Sequence, residues 1–417
     1  MKKILFIHHG EVPGGAPTSL ANTIIALKKE MPEFEMIIWC MNKAMCNYFE
    51  DRCHVESVLM PNPLKETGKV MIGWTKLFQI KVLRNLLGEF RYIRGRINDF
   101  QQLIQTENPD FVHLNSGCLF VPAIAAKRLN IPILWHIREV FGGGMLNLRT
   151  IIVGKWLRSI AYRVFCISVI EAHSIGGSHS DNVSVVYNFV DFDTFKPNRS
   201  KDEINAELKI DKDIKKIITL GGSSFRKGLY ELLLATNQLP EFVHVIIAGP
   251  ELQKPDQSVS RFHKVKLKME SILYSLHLVP YLKIDYENRC RMAYQKIKNK
   301  SRVHFIGSKI DIVNYINACD ILYFGGTMPH FPRPVFEAWL LNKPIIAFDE
   351  LGVSNQIENG KNGFIMNKKN LTQLTTSINE LISRDDLCLN FGLQGFKISQ
   401  EKFDSKKNIK MISKYLQ

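Results

Sequence analysis

Two adjacent cations, Arg226 and Lys227, stand in the run Leu220-Gly221-Gly222-Ser223-Ser224-Phe225-Arg226-Lys227-Gly228-Leu229, between a β-branched stretch and the helical pattern Tyr230–Leu239. A cation pair at a strand-to-helix turn can clamp a diphosphate, assisted by the positive end of the helix. A solvated basic turn is the plainer alternative. Glu337, in Pro332-Arg333-Pro334-Val335-Phe336-Glu337-Ala338-Trp339, is read as opening a short apolar helix. A carboxylate in that first turn can accept two hydrogen bonds from vicinal hydroxyls such as those of ribose, or simply complement the helix dipole. In Trp135-His136-Ile137-Arg138-Glu139-Val140-Phe141-Gly142-Gly143-Gly144, three polar residues follow a buried strand. Polar groups at such a place need partners: His136 can meet a reacting sugar and Arg138 an acidic acceptor, or Arg138 and Glu139 pair locally. The loop Gly10-Glu11-Val12-Pro13-Gly14-Gly15-Ala16-Pro17 precedes an apolar helix expected from near Pro17. Adjacent glycines let backbone amides approach a phosphate or sugar, although a tight turn with an early helical proline reads equally well. The loop fits neither the dinucleotide fingerprint nor the Walker pattern.

These segments share a setting. Short β-branched runs alternate with longer helical patterns, the mark of parallel α/β sheets covered on both faces, whose ligands gather at the carboxyl ends of strands. Strands are expected at Lys3–His8, Glu35–Cys40, Phe111–Leu114, Ile133–His136, Val164–Ile167 and Val183–Tyr187. Periodicity then lapses, and Asn198 to Lys216 reads as an interdomain connection. A second alternation runs through Lys216–Gly222, His244–Gly249, Val303–Ile306, Ile321–Phe324 and Pro344–Phe348. With 417 residues, two domains are expected rather than one core. Their extents are 1–190 and 199–395, with 396–417 as a terminal helix. Between Glu251 and Arg302 lies a mostly helical connector with twelve basic and five acidic residues.

Composition is that of a soluble globular chain, 45% hydrophobic and 23% charged. No stretch approaches the roughly 20 apolar residues that span a bilayer, so a cytoplasmic location is expected. Eight cysteines in no metal-ligand spacing read as buried free thiols, and no metal site is expected. The net charge of +15 asks for an anionic partner. No nucleic-acid recognition motif is present. Lys69 to Arg96 holds seven basic residues and one acidic residue interleaved with Trp74, Leu77, Phe78, Leu83, Leu86, Leu87, Phe90 and Ile93. That mixture suits peripheral attachment to an anionic membrane surface, or an ordinary amphipathic helix packed on a sheet.

Taken in order, the motifs resemble those of the retaining GT-B glycosyltransferases of family 4. The Gly14-Gly15 loop comes first, then Ile167-Ser168 with Ala172, and Val186-Tyr187-Asn188-Phe189-Val190-Asp191. Arg226-Lys227-Gly228, Val303-His304-Phe305-Ile306-Gly307 and Ala318-Cys319-Asp320 follow. Glu337-Ala338, Asn342-Lys343-Pro344-Ile345-Ile346-Ala347 and Asn359-Gly360-Lys361-Asn362-Gly363 complete the series. The resemblance implies two Rossmann-like domains with parallel sheets facing a central cleft, the first binding acceptor and the second donor. The terminal segment 396–417 would pack back on the first domain. It implies sugar transfer with retention from a UDP- or GDP-linked nucleotide-sugar, without a metal or other cofactor, to a lipid-linked glycan of a bacterial surface polysaccharide such as O-antigen or capsule, at the inner membrane face. Lys227 and Arg226 would then hold the diphosphate and Glu337 the ribose. His136 would lie near the sugar, Gly15 near the phosphates, and Gly14 and Arg138 on the acceptor side. The chain departs at Pro329, where the family has a first glutamate that contacts the donor sugar. His330, Arg333 or main-chain groups are the candidates to replace it. That departure favours one rival, a non-catalytic GT-B subunit supporting a partner transferase; a nucleotide-sugar epimerase on the same fold is the second.

Overall fold

A computed structural model describes residues 2–60, 80–142, 150–252, 261–275, 285–327, 331–350, 352–367 and 370–417. The chain forms two compact units, Met1–Phe192 with Lys402–Gln417, and Asp193–Glu401.

The first unit is built on seven parallel strands: β1 (Lys3–Ile7), β2 (Glu35–Cys40), β3 (Glu56–Leu59), β4 (Phe111–Leu114), β5 (Ile133–Ile137), β6 (Arg163–Cys166) and β7 (Val183–Val185). Their order is β3-β2-β1-β4-β5-β6-β7. Because side chains alternate across a strand, the apolar β1 sequence serves two cores. Ile4 and Phe6 pack with Leu20, Ile24 and Leu27 of the helix Gly15–Glu30. Leu5 and Ile7 face Ile97, Phe100 and Ile104 of the helix Ile80–Glu107. The last helix, Ser405–Ser413, lies against Gly15–Glu30 and adds Ile409 and Ile412 to the first of these cores.

The second unit repeats the winding with six parallel strands: β8 (Lys215–Leu220), β9 (Val243–Ala248), β10 (Val303–Gly307), β11 (Ile321–Phe324), β12 (Ile345–Phe348) and β13 (Gly363–Met366). Their order is β10-β9-β8-β11-β12-β13. In each sheet the chain winds outward one way, then restarts beside its first strand and winds the other way. The winding therefore reverses between β1 and β4, and between β8 and β11, the switch points at whose carboxyl ends open sheets of this kind gather ligands.

Two strands escaped the sequence pattern. β3 is a half-exposed edge strand, Glu-Ser-Val-Leu, and β13 begins on Gly363. Neither shows the β-branched run of a central strand. Within the segment read as a connection, Lys201–Leu208 is a helix, started by a capping box in which Ser200 and Glu203 satisfy each other's backbone amides. The first helix begins at Gly15 rather than near Pro17. Of the basic stretch Lys69 to Arg96, residues 69–79 lie outside the described residues, and the rest belongs to Ile80–Glu107. All eight cysteines are free thiols, seven of them buried. No described helix is long and apolar enough to cross a membrane.

Candidate functional site

In the second unit, β8 ends at Leu220 and the chain turns through Gly221 and Gly222, both at positive φ, into a short 3-10 turn, Phe225–Lys227. Ser224 caps this turn by accepting from the Arg226 amide. Gly228, at φ 65°, then leads into the helix Leu229–Thr236. A Cβ on Gly228 would stand 2.1 Å from the Gly325 carbonyl oxygen, so glycine is what allows the β8 and β11 loops to meet. Thr327 ties the two together, its hydroxyl donating to Phe225 O at 2.7 Å and its amide to Arg226 O at 3.3 Å. The Lys227 stem lies across Gly221, where a Cβ would come within 2.7 Å of Cγ. Its ammonium sits 5.3 Å from the Phe324 ring centre. Burial, then the neighbouring Arg226, lowers the Lys227 pKa. Arg226 itself is exposed. No ion pair joins either cation to a carboxylate among the described residues.

The helix Arg333–Trp339 packs on β11 and β12. Glu337 is thus in its second turn, not the first: Pro334 lies near the helix start, where a missing amide costs nothing, and the helix begins four residues before Glu337. Arg333 donates to Glu337 Oε1 from Nη2 at 2.6 Å and from Nε at 3.0 Å, both side chains being nearly buried. Pro329 and His330 lie outside the described residues.

In the first unit a polar cluster occupies the β1–β4 reversal. Asn115, directly after β4, donates from Nδ2 to His8 Nδ1 at 3.1 Å and accepts from Arg138 Nε at 2.6 Å. Arg138 Nη1 donates to Asn188 Oδ1 at 2.7 Å. Glu139 turns elsewhere, accepting from the Ser116 hydroxyl at 2.6 Å and the Gly117 amide at 2.9 Å. His136, expected at the strand end, lies inside β5 and is enclosed, its ring 5.7 Å from His113 and 6.0 Å from Phe165. Among the described residues, both ring nitrogens of His136 and of His113 lack hydrogen-bond partners. Burial, reinforced by Arg138, pushes His136 well below the ordinary histidine range and His113 to about 3. His8, beside its glycine neighbour Gly10, is likewise lowered to about 3, first by burial, then by His9 and Arg138. Gly14, in extended backbone, precedes the first helical residue Gly15, and a Cβ on it would meet nothing within 4 Å. Asn115 and His8 were not singled out from sequence. Asn115-Ser116-Gly117 at a strand end is the turn signal that could have drawn attention to the first.

Among the described residues, no group of three or more His, Cys, Asp or Glu could hold a metal ion. The arrangement offers a cation pair with glycine-opened backbone in one unit, and a neutral-histidine and arginine cluster in the other.

Two doubly wound units with parallel sheets are those of the GT-B fold, and the comparisons make the chain a GT-B glycosyltransferase. Residues 200–397 match the family model for glycosyl transferases group 1, and residues 14–194 match that for glycosyltransferase family 4. An uncharacterized glycosyltransferase of Methanocaldococcus jannaschii is 22% identical over 342 residues, 79% of this chain and 82% of that one. The UDP-Gal:alpha-D-GlcNAc-diphosphoundecaprenol alpha-1,3-galactosyltransferase of Escherichia coli is 22% identical over 306 residues, 69% of this chain and 70% of that one. In fold, the chain is similar to Anabaena HepE, solved with UDP-glucose, with a TM-score of 0.72, 19% identity, and coverage of 100% of this chain and 99% of that one.

Proposed function

We propose that this glycosyltransferase moves a sugar, with retention at the anomeric carbon, from a UDP- or GDP-linked donor to a lipid-linked glycan acceptor in the synthesis of a bacterial surface polysaccharide. The carrying observation is Lys227. A half-buried ammonium with no carboxylate beside it among the described residues is unfavourable for the fold alone, and a bound diphosphate offsets that cost. As the bond from sugar to diphosphate breaks, negative charge grows on the leaving phosphate. Lys227 and Arg226 stabilise it without a metal ion.

The remaining roles follow from position. Arg333 holds Glu337 Oε1 and leaves Oε2 to accept from the ribose hydroxyls. His330 and Arg333 serve the donor sugar in place of the glutamate that Pro329 displaces. Gly15 offers its amide to phosphate. Gly14 and Arg138 line the acceptor side, and His136, enclosed behind Arg138, acts as a positioning residue. The E. coli relative's diphosphoundecaprenol substrate supports a lipid-linked acceptor, and the bound UDP-glucose of HepE supports a UDP-sugar donor. For membrane attachment, Ile80–Glu107 exposes Leu87 and Phe90, each 53%, beside Arg91 and Arg94.

Calorimetric titration with UDP, GDP and their sugar conjugates tests the reading. Selective binding to one nucleotide, weakened in Lys227→Ala and Glu337→Ala, is expected. Absence of binding across the panel would favour the non-catalytic subunit.

A further inference from the structure

The turn 340–344, between the helix Arg333–Trp339 and β12, holds a lysine that the donor site does not use. Asn342, at φ 54°, reverses the chain there, and the Lys343 amide donates to Ala338 O at 3.0 Å. The helix Asp385–Lys402 packs on the turn through Gly392, where a Cβ would stand 2.1 Å from the Asn342 oxygen. The backbone of Lys343 is thus fixed from two sides. Its side chain is only 8% exposed, and among the described residues its ammonium makes no hydrogen bond or ion pair. Lys343 lines a cavity of about 190 Å³ at the amino ends of β8, β11 and β12, the end of the sheet opposite Arg226 and Lys227. Ile321, Pro344, Leu381 and Leu389 give that cavity an apolar wall. Its two carboxylates are already engaged: Asp385 Oδ1 accepts from Lys215 Nζ at 2.9 Å, and Asp320 Oδ2 from the Lys216 amide at 2.7 Å. Burial first, then Lys201 and, more weakly, Lys216 disfavour the charge on Lys343, and Cys319 and Asp320 oppose them without prevailing. A cation so placed, without a counter-charge, is a cost to the fold that a bound anion offsets.

We propose that this cavity is a second anion site, which takes a phosphate group, as the free ion or a small phosphomonoester, against the Lys343 ammonium. Size and charge select that ligand. Pockets for drug-sized ligands run to roughly 300–1,000 Å³, so this one is too small for a nucleotide-sugar. Four lysines, Lys201, Lys215, Lys216 and Lys343, stand in or beside it against Asp320 and Asp385. A phosphate group brings close to two negative charges and several acceptor oxygens, which match that surplus better than a single carboxylate does. The site lies within the second unit, away from the donor turn, and stands whether or not the donor assignment above is correct.

Calorimetric titration of the full chain at pH 7 with inorganic phosphate and with glycerol 3-phosphate, against chloride at matched ionic strength, tests it. Wild type is expected to bind phosphate. Lys343→Met is expected to bind it at least about tenfold more weakly, the loss of one charge-assisted contact, with its UDP and GDP titrations unchanged. In wild type, phosphate should also slow trinitrophenylation of Lys343, followed by peptide mass spectrometry, a reading that needs no variant. Tighter binding of glycerol 3-phosphate than of phosphate supports the site and assigns it to an organic phosphate; the reverse supports it and assigns the free ion. Phosphate binding unaltered in Lys343→Met overturns the proposal. So does binding that disappears in Lys227→Met and persists in Lys343→Met, which places the anion at the donor turn. Absence of phosphate binding in wild type, with Lys343 labelled at the same rate in its presence, overturns it as well.

Discussion

Arg333 and Glu337, one helical turn apart, form a nearly buried ion pair in which two guanidinium nitrogens converge on a single carboxylate oxygen at 2.6 and 3.0 Å. The pair fixes the carboxylate orientation while leaving its second oxygen available. It also makes each residue depend on the other. Removing one partner of a buried pair strands the other charge, at a cost of roughly 3–5 kcal/mol. Arg333→Met is therefore expected to lower the denaturant midpoint by more than Glu337→Gln, which keeps an acceptor oxygen for the guanidinium. Equal losses in urea melts would show that the pair does not organise the helix.

Lys227 should behave in the opposite way. Its folded-state pKa is lowered by burial, so the fold disfavours the charged form; this penalty is full below the folded pKa and relieved as pH rises toward the unfolded value. Lys227→Met should leave stability at neutral pH unchanged or raised. Nucleotide affinity should fall about 10- to 100-fold, the loss of one charge-assisted contact. A variant that is destabilised yet binds UDP or GDP as wild type would remove the donor-site reading.

Gly228 offers a backbone test of the same place. Alanine there must hold positive φ and press Cβ toward the Gly325 oxygen. A cost of at least about 2 kcal/mol is expected. Loss of nucleotide binding should accompany it, because the turn carrying Arg226 and Lys227 would shift. Serine at Gly14, where a Cβ meets nothing, should be neutral in the same melting assay.

The central strands were legible because β-branched runs such as Lys216–Leu220 and Ile345–Phe348 bury both faces and leave little choice of conformation. β3 and β13 were not, since an edge strand tolerates serine, glutamate and glycine. Arg226 and Lys227 could be assigned to a strand-to-helix turn from local order alone. The partnership of Arg138 with Asn115 and Asn188 could not: those residues are brought together by strand order, which no local pattern encodes. Glu337 was misplaced by one turn: the helix starts at Arg333, with Pro334 tolerated at its beginning. The i, i+4 spacing to Arg333 was visible throughout.

Lys343 is a buried lysine with an electrostatic cost. Burial, followed by Lys201, lowers its pKa to about 8 from 10.5. Protons bound by the unfolded chain exceed those bound by the folded one across that interval, so this residue makes stability rise with pH between about 8 and 10.5. Lys343→Met should stabilise the protein at pH 7 by roughly 2–3 kcal/mol at most and flatten the pH profile above 8. Unfolding curves at pH 7 and 10 would check both, and a destabilised methionine variant would mean that the ammonium is fully compensated where it sits.

The histidines of the first unit set the acid limit. His8 and His113 are lowered to about 3, and His136 is also lowered, chiefly by burial. With folded pKa values below the unfolded 6.5, the unfolded state takes up protons first as pH falls. Stability contributed by the neutral imidazoles is full above about 6.5 and is lost progressively toward 3, by roughly 1.4 kcal/mol per pH unit for each ring. His8 and His113 alone would cost roughly 4 kcal/mol at pH 5, with His136 acting in the same direction, a large part of the stability of many domains. Cooperative unfolding near pH 5 is therefore expected at room temperature. His113→Phe, which meets Phe6 across 5.0 Å in place of the imidazole, should shift that transition to lower pH. Circular dichroism along a pH series decides it: an unshifted midpoint would mean that His113 is not part of the acid trigger, and a transition absent in the wild type would mean that the buried rings acquire partners on protonation.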